Sequence, residues 1–238
     1  MTQRYAVVSC HVERPLDDRA WDPFSRLQAR RPGGFEIAAL MRPPDPAAGE
    51  SEALWLARAR IAAANGPLGH HTHWGGPEHA RPLDGDPAER VRVEGAWLRE
   101  RGFPPRLFSG GGWFMDERVA AAVAELGYAD CTATAFRPGY LPAGAPRLQL
   151  AEPARLQLAG AQLLELPTTH SLGMAARAVF GPLPAYVHVY FHDTDLLDRR
   201  RRAALSATLA VLGRRRRPAR LDGLTAEVEL DFSSASSP

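Results

Sequence analysis

The chain has 238 residues, enough for one large α/β or all-β unit or two small domains, and enough to fold without disulfides or a structural metal. Hydrophobic residues make up 45% and charged residues 24%, which excludes wholesale disorder, and a net charge of +2 lacks the strongly basic balance of a nucleic-acid binder. All 29 basic residues are arginine, which points to a GC-rich coding bias before any chemistry. Cys10 and Cys131 sit at no metal-binding spacing. The N-terminus reaches His11 and Glu13 too early for a secretory apolar region, and no apolar run approaches about 18 residues. A soluble, cytoplasmic protein with no membrane or nucleic-acid partner is expected.

In chain order, Tyr5–Cys10 reads as a buried strand, Ala20–Ala29 as a helix and Phe35–Met41 as a second strand. Ser51 is placed to cap a helix over Glu52–Ala64 that ends near Asn65-Gly66. Leu68–Trp74 is a His-rich third strand, and Asp86-Pro87 opens a helix running to Gly102. Arg106–Ser109 is a fourth strand entering Gly110-Gly111-Gly112, and Asp116–Leu126 is a helix stopped by Gly127. Tyr128–Thr134, Leu163–Thr168 and Ala185–His192 complete seven strands. Phe136–Ala161 breaks the rhythm as a Pro- and Gly-rich insertion or irregular hairpin. Leu196–Leu212 is a helix stopped by Gly213, and Leu224–Phe232 is a possible last strand before a Ser-rich tail. Such alternation predicts an α/β fold, a single-domain (β/α) barrel of seven or eight strands.

Polar residues collect where these strands end: His11 and Glu13, His70, His71 and His73, Trp113 and Asp116, Asp130, Thr168–His170, and His192-Asp193. Strand ends at the C-terminal face of such barrels form the active site. Residues i and i+2 of a strand share a face, so His71 and His73 can converge on one divalent ion, with Glu13 or His11 as a third ligand. Whichever of His11 and Glu13 is left free would be the base, and His192, near the physiological range, a general acid. Trp113 and Trp74 are candidate sugar-stacking residues, Gly111 lets backbone approach a ligand, and Asp116 and His170 complete the expected substrate contacts. Glu78 and His79 read as a solvated loop. Arg199–Arg202 and Arg214–Arg217 read as a solvated helix face and a cationic helix end.

Taken together these residues resemble the polysaccharide deacetylase superfamily, the NodB-homology or carbohydrate esterase type. Val8-Ser9-Cys10-His11-Val12-Glu13 is similar to its first-strand motif and Leu68-Gly69-His70-His71-Thr72-His73 to its histidine motif. Leu107–Trp113 with Asp116–Tyr128, Leu164-Glu165-Leu166-Pro167, and Tyr190-Phe191-His192-Asp193 are similar to its later motifs. The resemblance implies a distorted (β/α) barrel that uses a divalent metal, commonly zinc, to remove acetyl or related acyl groups from amino sugars, with the histidine matching His192 as general acid. Three departures stand out. His11 and Val12 occupy the positions of the family's aspartates, no pair among His70, His71, His73 and His79 has the family's four-residue spacing, and Ser109-Gly110 replaces its arginine. The expected function is therefore a divergent metal-dependent deacetylase acting on an amino sugar, a polysaccharide or a small amide. Its alternative is an inactive barrel that binds carbohydrate or a protein partner.

Overall fold

Nearly every helix starts at a residue whose side chain can stand in for a missing backbone partner. In the computed structural model, which describes residues 4–158 and 160–224, Asp17 opens α1 (Asp18–Arg30), Ser51 α2 (Glu52–Asn65) and Asp86 α3 (Pro87–Glu100). Asp116 opens α4 (Glu117–Glu125), Ser171 α5 (Leu172–Ala178) and Asp198 α6 (Arg199–Arg215). In each case a side-chain oxygen accepts a hydrogen bond from a backbone N–H of the first turn, which typically stabilises a helix by about 1 kcal/mol.

The strands are β1 (Tyr5–Val12), β2 (Ala38–Met41), β3 (Leu68–Thr72), β4 (Leu107–Gly110) and β5 (Ala129–Asp130). They are followed by β6 (Ala154–Leu158), β7 (Ala161–Glu165), β8 (His170–Ser171), β9 (Tyr186–His192) and β10 (Arg217–Pro218). They form one sheet in the order β6-β7-β5-β4-β3-β2-β1-β9-β8, with β10 against β1. Every ladder is parallel except the β6–β7 hairpin. The chain from β7 to β8 pairs on both sides. Leu166 and Thr168 donate backbone N–H groups to Asp130 and Ala133, and Thr169 donates to His188.

Two apolar layers flank this sheet. On the helix side, Val8, Cys10 and Val12 pack with Trp21, Phe24, Trp55, Leu205 and Leu209, while Phe108 packs with Val91, Val119 and Val123 of α3 and α4. On the inner side, Val7, Leu40, Leu107, Cys131 and Leu166 form a separate cluster. The full burial of the strands explains their unbroken apolar runs. Emptying a position such as Phe24, fully buried between α1 and the sheet, is expected to cost about 3–5 kcal/mol.

Several expected boundaries move. The strand expected over Phe35–Met41 is paired only from Ala38. The regular ladder of the fifth strand ends at Asp130, because the Thr132 hydroxyl, in place of a backbone carbonyl, accepts from the Gly110 N–H. The Phe136–Ala161 stretch contains β6, which pairs antiparallel at the sheet edge. The helix expected to stop at Gly213 runs on to Arg215. Gly213 serves close packing there: a Cβ at that position would lie 2.1 Å from the Gly33 carbonyl oxygen. Of the stretch expected as a last strand, only Leu224 lies within the described residues, and it is in no strand.

Candidate metal centre and its cavity

β1, β3 and β9 lie close in the sheet, and their C-terminal ends bring together the side chains that matter most. His11 is paired in register with His192 across the β1–β9 ladder. The alternation of strand residues turns Ser9, His11 and Glu13 inward from β1, His71 from β3, and His188, Tyr190 and His192 from β9. The floor so formed opens into a cavity of about 310 Å³, whose lining includes His11, Glu13, His71, Trp113, Tyr140 and His192.

Glu13 is the hub. Its Oε1 lies 3.4 Å from His73 Nε2, 3.4 Å from His192 Nε2 and 3.9 Å from His71 Nε2. One donor atom each from His11, Glu13 and His71 falls within a 4.8 Å circle, a spacing that can hold a metal ion. The outer contacts decide how the imidazoles present themselves. His71 Nδ1 lies 2.8 Å from the Ser109 carbonyl oxygen, and His73 Nδ1 2.8 Å from that of Pro77. A carbonyl only accepts, so the proton of a neutral His71 ring is assigned to Nδ1 and the lone pair to Nε2. Metal-binding histidines are ordinarily oriented in this way.

Electrostatics sharpens the point. Burial lowers the His71 pKa to about 4, so the ring is neutral at physiological pH. Burial also lowers His11 well below its usual range, and the neighbouring His71 and His192 add to this. Glu13 is held well below the ordinary carboxylate range: burial raises it, but the adjacent His71 and His73 imidazoles and the charge of His192 outweigh burial. The His71 share of that effect requires a proton or a cation on Nε2. With the ring neutral, a bare lone pair faces a carboxylate oxygen, and His71 Nε2 is buried with no hydrogen-bond partner. A cation between these groups would resolve the conflict. Two imidazoles and a carboxylate suit zinc or a similar first-row ion.

His192 stands at the side of this floor. Burial would lower its pKa, but the Asp195 carboxylate, 3.8 Å from its Nδ1, and the charge of Glu13 reverse that and raise it. Asp195 also accepts from the His192 backbone N–H at 2.9 Å and pairs with Arg201. Trp113 forms a wall. Its ring lies 4.8 Å from Tyr190 and 5.4 Å from His11, centroid to centroid. Its φ of +58° is rare for a bulky residue, and such backbone strain clusters at functional positions.

The expected residues divide accordingly. His11, Glu13, His71, His73 and His192 come together, but the compact donor set contains His11, whereas His73 touches Glu13 from beside it. Trp113 lines the cavity as expected, and so do Glu78 and His79, which were read as a solvated loop. Glu78 is nonetheless largely exposed, and it pairs with Arg14. Four expected substrate contacts are placed elsewhere. Trp74 is 3% exposed and donates its indole N–H to the Gly111 carbonyl. Gly111 is packed against the Ala80 and Thr72 carbonyls. Asp116 is spent on capping α4, and His170 bonds to the Thr169 hydroxyl. Sequence reasoning missed Arg81 and Tyr140, which reach the cavity from loops, and Asp195. For Asp195 the signal was present as a carboxylate three residues after His192.

No family model matches the chain, and no curated protein matches it in sequence. Among solved structures it is similar to the 4-alpha-glucanotransferase from Thermococcus litoralis, at 12% identity and a TM-score of 0.55. The likeness covers 94% of this chain, which spans 38% of that structure's length. It establishes a shared mixed α/β fold with a parallel sheet. Among the described residues no helix is long and apolar enough to cross a membrane.

Proposed function

We propose that the chain is a divergent, metal-dependent deacetylase of the polysaccharide deacetylase type, acting on an N-acylated amino sugar or a related amide. One observation carries the reading: neutral His71 directs an unpartnered Nε2 at the Glu13 carboxylate, with His11 completing a donor set. The β7–β8 stretch, paired to β5 on one side and β9 on the other, supports a closed, distorted barrel. The motif order noted in the sequence supports the family.

His11, Glu13 and His71 would hold the ion, taken to be zinc. Bound there, a divalent metal supplies Lewis acidity to an acyl carbonyl and acidifies water. The chain's own residues account for the rest of the reaction. Trp113 and Tyr190 give the cavity an aromatic side against which a sugar face can lie. The Glu13 oxygen not given to the ion would accept the proton released as water adds to the acyl carbon. His192, held in place by Asp195, gives a proton to the nitrogen as the C–N bond breaks, leaving a carboxylate and an amine. His73 fixes the Glu13 carboxylate from the side.

The test is metal content by plasma mass spectrometry on purified protein and on His71→Ala, followed by acetate release from N-acetyl sugars. About one equivalent of a transition metal per chain, lost in the variant, is expected of such a site. A chain that takes up no metal even on reconstitution overturns the reading and leaves a carbohydrate-binding barrel in its place.

A further inference from the structure

Above the histidine floor the cavity wall changes character. Arg81, Tyr140 and Trp113 line it. Arg81 sits on the β3–α3 loop, whose backbone is tied by hydrogen bonds from Trp74 N–H to the Ala80 carbonyl and from Gly75 N–H to the His79 carbonyl. This loop lies directly on the glycine run after β4. A Cβ on Gly111 would fall 2.5 Å from the Ala80 carbonyl oxygen, and one on Gly112 would fall 2.3 Å from Arg81 Cγ. Gly112 also has a φ of +58°. Only glycine leaves room for this arginine.

Arg81 Nη1 donates to the Gly112 carbonyl at 2.6 Å, and the guanidinium faces the Phe114 ring at 5.6 Å. Neither contact neutralises it. Among the described residues no carboxylate lies within ion-pair reach of Arg81, and burial depresses its pKa. A side chain needed only to staple two loops would not have to be charged, because a neutral amide can donate to Gly112. A guanidinium has five donors in a planar fork suited to a carboxylate, and most of this one's are left over. Trp113 and Tyr140, which are in side-chain hydrogen-bond contact, add hydroxyl and indole groups beside it.

We propose that Arg81 binds a carboxylate of the substrate, so that the cavity selects N-acyl compounds carrying an acidic group over their neutral analogues. The N-acyl part rests on the deacetylase reading; the carboxylate contact does not, and binding measurements test it separately. The probes are N-acetylneuraminic acid and N-acetylglycine, each against its methyl ester, titrated calorimetrically into the metal-loaded and the metal-stripped protein. At least one acid should bind about tenfold more tightly than its ester, the order of effect expected of a charge-assisted contact. Arg81→Gln, which keeps the stem and a donor for Gly112, should bring acid and ester to within about twofold, and Arg81→Lys should restore part of the difference. Acids and esters that bind alike, or that both fail to bind, overturn the proposal. So does a preference that survives Arg81→Gln but vanishes in His71→Ala, because the carboxylate would then sit on the ion. The metal content of the same samples reports separately on the deacetylase reading.

Discussion

Two sets of carboxyl groups, one half-buried and one fully buried on the opposite face of the sheet, meet opposite fates. Glu13 faces inward among three imidazoles and is held anionic. Asp130 and Glu165 are paired in register on β5 and β7, on the face away from the inner cluster. Burial raises Asp130 to about 6, although Thr132 donates to it, and raises Glu165 well above its usual range, with the Asp130 charge adding to that. Burial is common to both places and the neighbours differ. A carboxyl surrounded by nitrogen donors becomes a ligand or a base, whereas one facing another carboxyl keeps a proton.

Breaking the inner set should have the largest effects. His71→Ala removes the unpartnered nitrogen and should abolish stoichiometric metal and, with it, hydrolysis. Glu13→Gln keeps the shape but loses the anion; metal affinity should fall by about a hundredfold or more, measured by competition with a chelating dye. His192→Ala should lower turnover by about 10²–10⁴ while metal content stays intact. Unchanged turnover in that variant would remove His192 from the mechanism. Asp195→Asn, acting through His192, should lower turnover by about tenfold, a smaller loss than removing His192 itself.

How much of this was legible in the sequence depended on the distance over which the signal acts. His70 and His71 are adjacent, and alternation along a strand correctly separates them. His71 turns to the cavity. His70 turns to the helix layer, where Glu94 and Thr72 hydrogen-bond its Nε2. The same period places His11 with Glu13, and His188 with Tyr190 and His192. The starts of α2, α3 and α4 were legible because the Ser51, Asp86 and Asp116 caps act within one turn, whereas α5 was not expected and α6 begins at Arg199 rather than Leu196. Arg81 was not legible: its role depends on a glycine run 31 residues away leaving space for its stem. The glycines themselves were read as an approach to ligand, whereas what approaches Gly111 is the chain's own β3–α3 loop. Likewise, the spacing of His71 and His73 suggested a ligand pair, but β1 lies one strand away from β3, with the His11 ring 4.7 Å from that of His71, and this puts His11 into the compact set.

The outer pair offers the smallest effect but the cleanest sign. Both folded-state pKa values lie above those of unfolded Asp and Glu, near 4. Between pH 4 and the folded values, the folded chain binds more protons than the unfolded chain. The stability from this pair is therefore complete below about pH 4 and drains away as pH rises through about 6 and beyond. Glu165→Gln replaces the proton-holding acid with a permanent amide donor toward Asp130, which can then ionise beside a neutral partner. The variant should lose the Glu165 share of the downward slope, while burial keeps the Asp130 share. At pH 8 it should be more stable than the parent by about 1–3 kcal/mol, and near pH 5 the two should differ little. Thermal unfolding followed across pH 5–9 on metal-stripped protein, so that Glu13 and its imidazoles contribute no metal-linked term, reads the slope directly. Parallel curves for parent and variant would mean that Asp130 and Glu165 do not hold a proton in the folded chain, and that their burial is relieved by solvent instead.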